Sequence, residues 1–407
     1  MKRTFLLACP VLLLHAMTIR AQDAAHPARE KLGSVHFATS CNSAAQPQFD
    51  RAIALLHSFE FAQAIDAFSA ALHADPSCAI AEWGIALSRW SNPMAPGSKP
   101  AAQMQLARLA LDRAYVIGPK TDRERGYIDA VAKLYADFEH TPQVARVGAY
   151  RDAMGELSAK FPRDTEAKIF YAIALTAASS PTDKTYAGQL KAAAILEPLF
   201  KAEPDHPGLA HYLIHTYDVP PLASRAIVAA ERYAKIAPSA PHALHMPSHT
   251  FTRVGRWQES IDANIASTAA ARSSGEVGEQ LHATDYLMYA YLQTAQDVAA
   301  RRIMDSLPAI ASRFDVNAVT GAAPGAAGVF ALAAIPARFA LERGAWAEAA
   351  GLKPHPSGFP FTEAMTYFAR AIGASHTGDT ATVSAALDSL RRVRERLQRA
   401  GEAYWAE

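Results

Sequence analysis

The sequence predicts an all-α chain folded as a right-handed helical solenoid of helix-turn-helix repeats. Apolar residues recur at three- and four-residue spacing along nearly the whole length, and the short alternations expected of strands are absent. A turn followed by a helix rich in small residues appears in FEFAQAIDAFSAALHADP and returns in RVGRWQESIDANIAS, ERGAWAEAAGL and HTGDTATVSAAL. Weaker copies start near Arg225 and Asp297. One unit of this kind leaves an apolar face uncovered, so imperfect copies stack along the chain instead of closing into a compact bundle.

Residues 1–21 read as a secretory signal peptide, with Lys2 and Arg3, then an apolar run, then small residues near Ala21. That run is too short for a membrane span. Leu6, Leu7, Ala8 and Cys9 resemble a lipoprotein cleavage box, but a cut there would leave most of the apolar run on the product. The expected location is therefore secreted or periplasmic. Residues 22–44 form a lead segment and 45–407 the solenoid, with Pro- and Gly-rich stretches near 91–100, 320–328 and 351–360 looping out. No other segment is expected to span a membrane. The 40 Lys and Arg balance the 39 Asp and Glu, which argues against nucleic acid or a membrane surface as the main partner.

Six of the 15 histidines fall between positions 206 and 249. On a helix from about Pro207 to Tyr217, capped by Asp205 and ended by Pro220 and Pro221, His211, His215 and Asp218 project from one face. His242, His245 and His249 share a face if the helix continues past Pro247, which removes a backbone donor. His282, Asp285 and Tyr289 repeat the same spacing one unit later. Counted back from Gly255, and from Ala295 where it replaces a turn glycine, the last two sets occupy the second, fifth and ninth places of their units. His211, His215 and Asp218, counted back from Pro238, occupy the fifth, ninth and twelfth.

Ala64, Phe68, Ala71 and Pro76 stand at the spacing of the second half of a roughly 34-residue tetratricopeptide (TPR) unit, and the chain resembles that superfamily. The resemblance implies that those places on the first helices line a concave groove. First helices of neighbouring repeats pack about 8–10 Å apart, so imidazoles from adjacent helices can converge on one ion at roughly 2 Å. The candidate metal ligands are His211, His215, Asp218, His242, His245, His249, His282 and Asp285, a set suited to a transition metal (Zn, Fe, Ni or Cu) rather than Ca or Mg. Met246 and Met288 would favour copper but more often fill cores. A metal-free recognition groove and plain structural histidines are the competing readings. His57 is left outside the site. Cys41 and Cys78 sit at the starts of successive first helices, which run parallel; either they form a disulfide or both are buried thiols.

Over nearly all of the chain after the signal, the stretches HPGLAHYLIHTYD, PHALHMPSHTFTRVGRW and HATDYLMYAYLQ resemble a group of exported bacterial TPR proteins. The resemblance implies fold and export, and selects no reaction. It also implies a longer C-terminus, so the end near Tyr404 and Trp405 is expected to be truncated or to dock a partner. Three functions follow as expectations. The first is a solenoid that binds a protein, peptide or small ligand in a His/Asp-lined groove with a metal. The second is a metal-dependent hydrolase or oxidase with Asp218 or Asp285 as base. The third is a metal-free scaffold of an envelope complex. HExxH, GxSxG and phosphate-loop motifs are absent, so no catalytic residue is assigned.

Overall fold

Where one helix of a pair hands over to the next, the backbone needs a residue that tolerates positive φ, and the repeats supply one at the same place. Gly255, Gly344 and Gly378 take φ of 75°, 63° and 77°, while Ala295 and Phe59 take 54° and 58° without glycine's freedom. After each, the next N–H donates to the carbonyl five residues back: Glu60 to Leu55, Arg256 to Phe251, Gln296 to Tyr291, Ala345 to Ala340 and Asp379 to Ala374. That bond is the Schellman closure, which satisfies a carbonyl the ending helix leaves orphaned. Five turns closed alike show that the units are copies of one device.

The protein is described by a computed structural model that covers residues 30–95, 99–318 and 321–406. The expected signal peptide at 1–21, and residues 22–29 of the lead segment, lie outside the described residues. Eight helices precede the histidine-rich region: α1 (Gln46–His57), α2 (Phe61–Ala74), α3 (Ala79–Trp90), α4 (Ala101–Ile117), α5 (Asp122–Tyr135), α6 (Gln143–Lys160), α7 (Thr165–Ala177) and α8 (Ala187–Ala202). That region holds α9 (Pro207–Tyr217), α10 (Ile227–Ile236), α11 (Pro241–His245), α12 (Pro247–Arg253), α13 (Trp257–Ser274) and α14 (Val277–Gln293). The chain continues with α15 (Asp297–Ala311), α16 (Gly325–Glu342), α17 (Trp346–Ala350), α18 (Pro360–Thr377), α19 (Thr380–Arg399) and α20 (Ala403–Ala406). No strand occurs among the described residues.

Helices pair with their successors, and the first helices of neighbouring pairs stack: α1 on α3, α3 on α5, α7 on α9, α11 on α14, α14 on α16 and α16 on α18. Ala64, Ala67 and Ala71 on α2 are buried, as close helix approach requires. The stack also brings α1 against α9, so the end of the first repeat reaches the histidine-rich region directly.

The lead segment is built into the fold. Phe37 is fully buried against Phe49, Trp83 and Tyr127, with centroids 5.2, 5.4 and 5.0 Å away. Ser40 donates its N–H and hydroxyl to Glu124 at the start of α5, both at 2.7 Å. Ser34 N–H donates to the Asp205 carbonyl at 3.0 Å. Cys41 and Cys78 are joined by a disulfide, which ties this segment to the start of α3.

Two expectations are corrected here. The insertion near 320–328 is irregular only as far as Pro324, because α16 begins at Gly325; Ala and Gly in GAAG allow the backbone to enter the helix at once. The sequence was also expected to hold no membrane-length apolar segment, yet α16 has 18 residues and a mean hydropathy of 1.3. Its contacts with α14 and α18 are those of a repeat's core helix.

Candidate functional site

Helix α9 starts with Pro207 at its first position, preset for helical φ. The cap is His206 and not Asp205, whose carbonyl is occupied by Ser34. His211 and His215 then project from one face. At Pro247 the chain stays helical: Met246 has φ −53° and ψ −36°, its N–H donates to His242 O, and His249 N–H donates to Met246 O. The lost donor divides the helix into two, α11 and α12, while Met246 keeps helical φ and ψ between them, and His245 and His249 still bring their Nε2 atoms together. These five side chains, with His282 from α14, separate into two triads.

The first triad is His211, His215 and His242, and the second is His245, His249 and His282. Within each, one ring nitrogen per residue lies within 4.8 Å of the others. In the first, His211 Nδ1 lies 2.6 Å from the His57 carbonyl, which can only accept, so that nitrogen carries the proton. His242 Nδ1 donates to Glu279 at 3.1 Å. The two remaining nitrogens, His211 Nε2 and His242 Nε2, face each other at 3.2 Å. His215 Nε2 is buried and has no partner.

The second triad follows the same logic with stricter partners. His245 Nδ1 donates to Asn264 Oδ1 at 2.7 Å, and the Asn264 amide is held in that sense by its own donation to Ser260 O at 2.7 Å. His249 Nδ1 donates to Asp218 Oδ2 at 2.9 Å. His245 Nε2 and His249 Nε2 are 3.0 Å apart. With both Nδ1 protons committed, neutral rings present two lone pairs to each other, an arrangement that repels unless a cation lies between them. A tetrahedral ion bound at roughly 2.0–2.1 Å holds its nitrogens roughly 3.3 Å apart, close to the separations seen.

Electrostatics favour neutral imidazoles at His211, His215, His242, His245 and His282. Burial pushes the His211, His215, His242 and His245 rings well below the usual histidine range, with neighbouring histidines adding to the effect. Burial likewise takes His282 down to about 4. Asp218 stays ionised: burial raises it, but the charge and hydrogen bond of His249, with Arg253, outweigh that and hold it at about 2.

Each triad keeps one ring behind, His211 or His245, both fully buried. The others, His215 and His242 in one triad and His249 and His282 in the other, face a cleft of about 620 Å³. Arg253, Arg338, Tyr289, Phe330 and Trp405 form part of its wall. The cleft is therefore large enough for a small molecule, and imidazoles of both triads line its floor.

The carboxylates of the predicted ligand set stand elsewhere. Asp218 lies behind His249, orienting it, and also pairs with Arg253. Asp285 reaches Arg338 at 3.2 Å; burial pushes its carboxyl up to about 6, with Arg338 pulling the other way. Neither belongs to a triad. Tyr289 faces the cleft, while Tyr286 packs on His245 and His249 with centroids 4.9 and 4.7 Å away.

Several residues here escape a reading of the first-helix stripes. Phe59 occupies the turn place that Gly255 fills in its own unit, and its ring lies 4.4, 5.5 and 5.6 Å from those of His211, His215 and His242. A strained backbone thus supplies a wall of the first triad, and a bulky residue at a glycine place was the available clue. Asn264 lies on α13 in a buried polar row with Ser260 and Ser267, a clue on the second helix of its unit. His57, left outside the site, joins Glu166 and His206 in a third buried group: His57 Nε2 and His206 Nε2 lie 2.9 and 3.0 Å from the two Glu166 oxygens. The carboxylate takes both Nε2 atoms, while His206 Nδ1 stays without a partner, and the His57 carbonyl positions His211, so this group supports the first triad. Gly208 lets α9 close on it, since a Cβ there would stand 2.6 Å from His57 Nδ1.

No family model matches the chain, and no curated protein matches it in sequence. Among solved structures it is similar to the human IFIT1 dimer with PPP-AAAA, at 12% identity and TM-score 0.44 over 86% of this chain and 73% of that one. It is also similar to yeast Tom70 (10%, TM-score 0.37, 90% and 89%) and to the TPR domain of P58(IPK) (11%, TM-score 0.20, 87% and 99%). These likenesses are too weak to bear on function. The TPR-like α-solenoid stands on the paired helices and their repeated turns.

Proposed function

We propose that this protein is a metal-binding solenoid whose two histidine triads hold transition-metal ions at the floor of a ligand-binding cleft. The observation that carries the reading is the close facing of Nε2 atoms, His245 with His249 and His211 with His242, while every matching Nδ1 faces an acceptor. Oriented imidazoles backed by a carboxylate, an amide oxygen and a backbone carbonyl are how proteins fix metal ligands. Three nitrogens per ion leave a position open toward the cleft, which suits a ligand. An all-imidazole set fits Zn, Cu, Ni or Fe. The Cys41–Cys78 disulfide and the N-terminal signal support an exported, oxidising location.

Elemental mass spectrometry on untagged mature protein from its native compartment, with the His211→Ala/His245→Ala variant alongside, tests this. Near-stoichiometric metal that the variant loses is the expected result. Metal-free protein, after reconstitution as well, would turn the cleft into a plain recognition surface.

A metal-dependent enzyme is the second reading. Asp285 favours it: the carboxyl lines the cleft and burial pushes it up to about 6, toward the range that suits a proton acceptor for metal-bound water. Turnover across a hydrolase and oxidase substrate panel that disappears in Asp285→Asn, with metal content kept, would establish it. Equal turnover in that variant would remove Asp285 from the chemistry.

A further inference from the structure

Resting on the metal reading above, we propose that the two triads act as one dinuclear centre, and that a ligand's oxyanion group, carboxylate or phosphate, bridges both ions from the cleft. The triads share a single helical stretch: α11 supplies His242 to one and His245 to the other, and α12 supplies His249. The rings of His242 and His245 are 6.0 Å apart, and those of His215 and His249 are 6.2 Å apart. With each ion roughly 2 Å beyond its nitrogens, the proposed ions would stand on the order of 5 Å from each other. A three-atom O–X–O bridge spans that interval, whereas paired ions joined by single oxygen atoms sit about 3.5–4 Å apart.

Charge selects the ligand. Six imidazoles contribute none, so two divalent ions bring four positive charges into a buried floor. Asp218 and Glu279 offset part of this from behind His249 and His242, and both triads turn their open sides to the same cleft. An anion that contacts both ions therefore gains more than one that contacts either alone. Arg253 and Arg338 in the cleft wall balance Asp218 and Asp285, which line it too, so the ions' charge stays the source of the pull, and Phe330 and Tyr289 offer apolar surface to the rest of the ligand.

The full chain, freed of metal and loaded with two equivalents of Cu(II), provides the test by electron paramagnetic resonance with and without azide, a three-atom bridging anion, followed by acetate and phosphate. Azide is expected to reduce the integrated signal from two spins per chain toward none, and acetate or phosphate to produce a half-field transition. His282→Ala and His215→Ala each dismantle one triad; both should show a single ordinary Cu(II) signal that azide does not quench, with helicity checked by circular dichroism. Two full, independent spins in the unaltered protein, unchanged by all three anions, would overturn the dinuclear proposal while leaving metal binding intact. Failure to retain copper would overturn both readings. Quenching by azide with no response to acetate or phosphate would overturn the assigned ligand class.

Discussion

Asp218 shows at the residue scale how a side chain outside the triads still orients one of their rings. Its carboxylate fixes the His249 ring and keeps Nε2 free, so Asp218→Asn should weaken the second centre by about 10–100-fold and leave the first unchanged, as read by chelator competition. Glu166 acts further back. Burial would raise its carboxyl, but His57 and His206 outweigh that and hold it well below the usual range. Its contribution to stability is complete above the unfolded value of about 4.3 and is lost as pH falls toward the depressed folded value. Thermal midpoints of the parent should therefore drop as acid is added below about pH 4, and Glu166→Gln should start lower at neutral pH and change less over that range. Ala295 carries positive φ where the repeat places glycine elsewhere; Ala295→Gly should raise stability by about 1 kcal/mol, measured by denaturant unfolding. Phe59 has the same strain, but its ring walls the first triad, so the same exchange there would remove a function along with a cost.

Among the elements, the disulfide between the lead segment and α3 closes a 37-residue separation. By the loop-entropy relation such a link is worth about 3–4 kcal/mol, so Cys41→Ser/Cys78→Ser should lose roughly that much in denaturant unfolding. A loss well under 1 kcal/mol would mean that Phe37 and the Ser40–Glu124 bonds already hold the segment. The elements were largely legible in sequence because the turn places and the three- and four-residue periodicity are local properties. The stripes at His211 and His215, at His242, His245 and His249, and at His282 were legible for the same reason. What sequence left out is non-local: Asn264 comes from the second helix of a unit, Glu166 from α7 in the pair before α9, and His57 from the opening helix, which meets α9 across the fold. Asp218 ends up behind the triad ring His249, and Asp285 meets Arg338, so neither carboxylate joins a triad.

For the whole molecule, the same stacking that builds the solenoid turns a repeated spacing into two adjacent triads facing one cleft. That adjacency is the central claim, and anomalous diffraction from crystals of metal-loaded protein, recorded at the absorption edge of the bound metal, tests it most directly. Two peaks are expected, one bounded by His211, His215 and His242 and the other by His245, His249 and His282, with both ions open to the cleft. Metal-loaded crystals with no peak at either triad, or with peaks only at surface histidines such as His36 or His140, would contradict it.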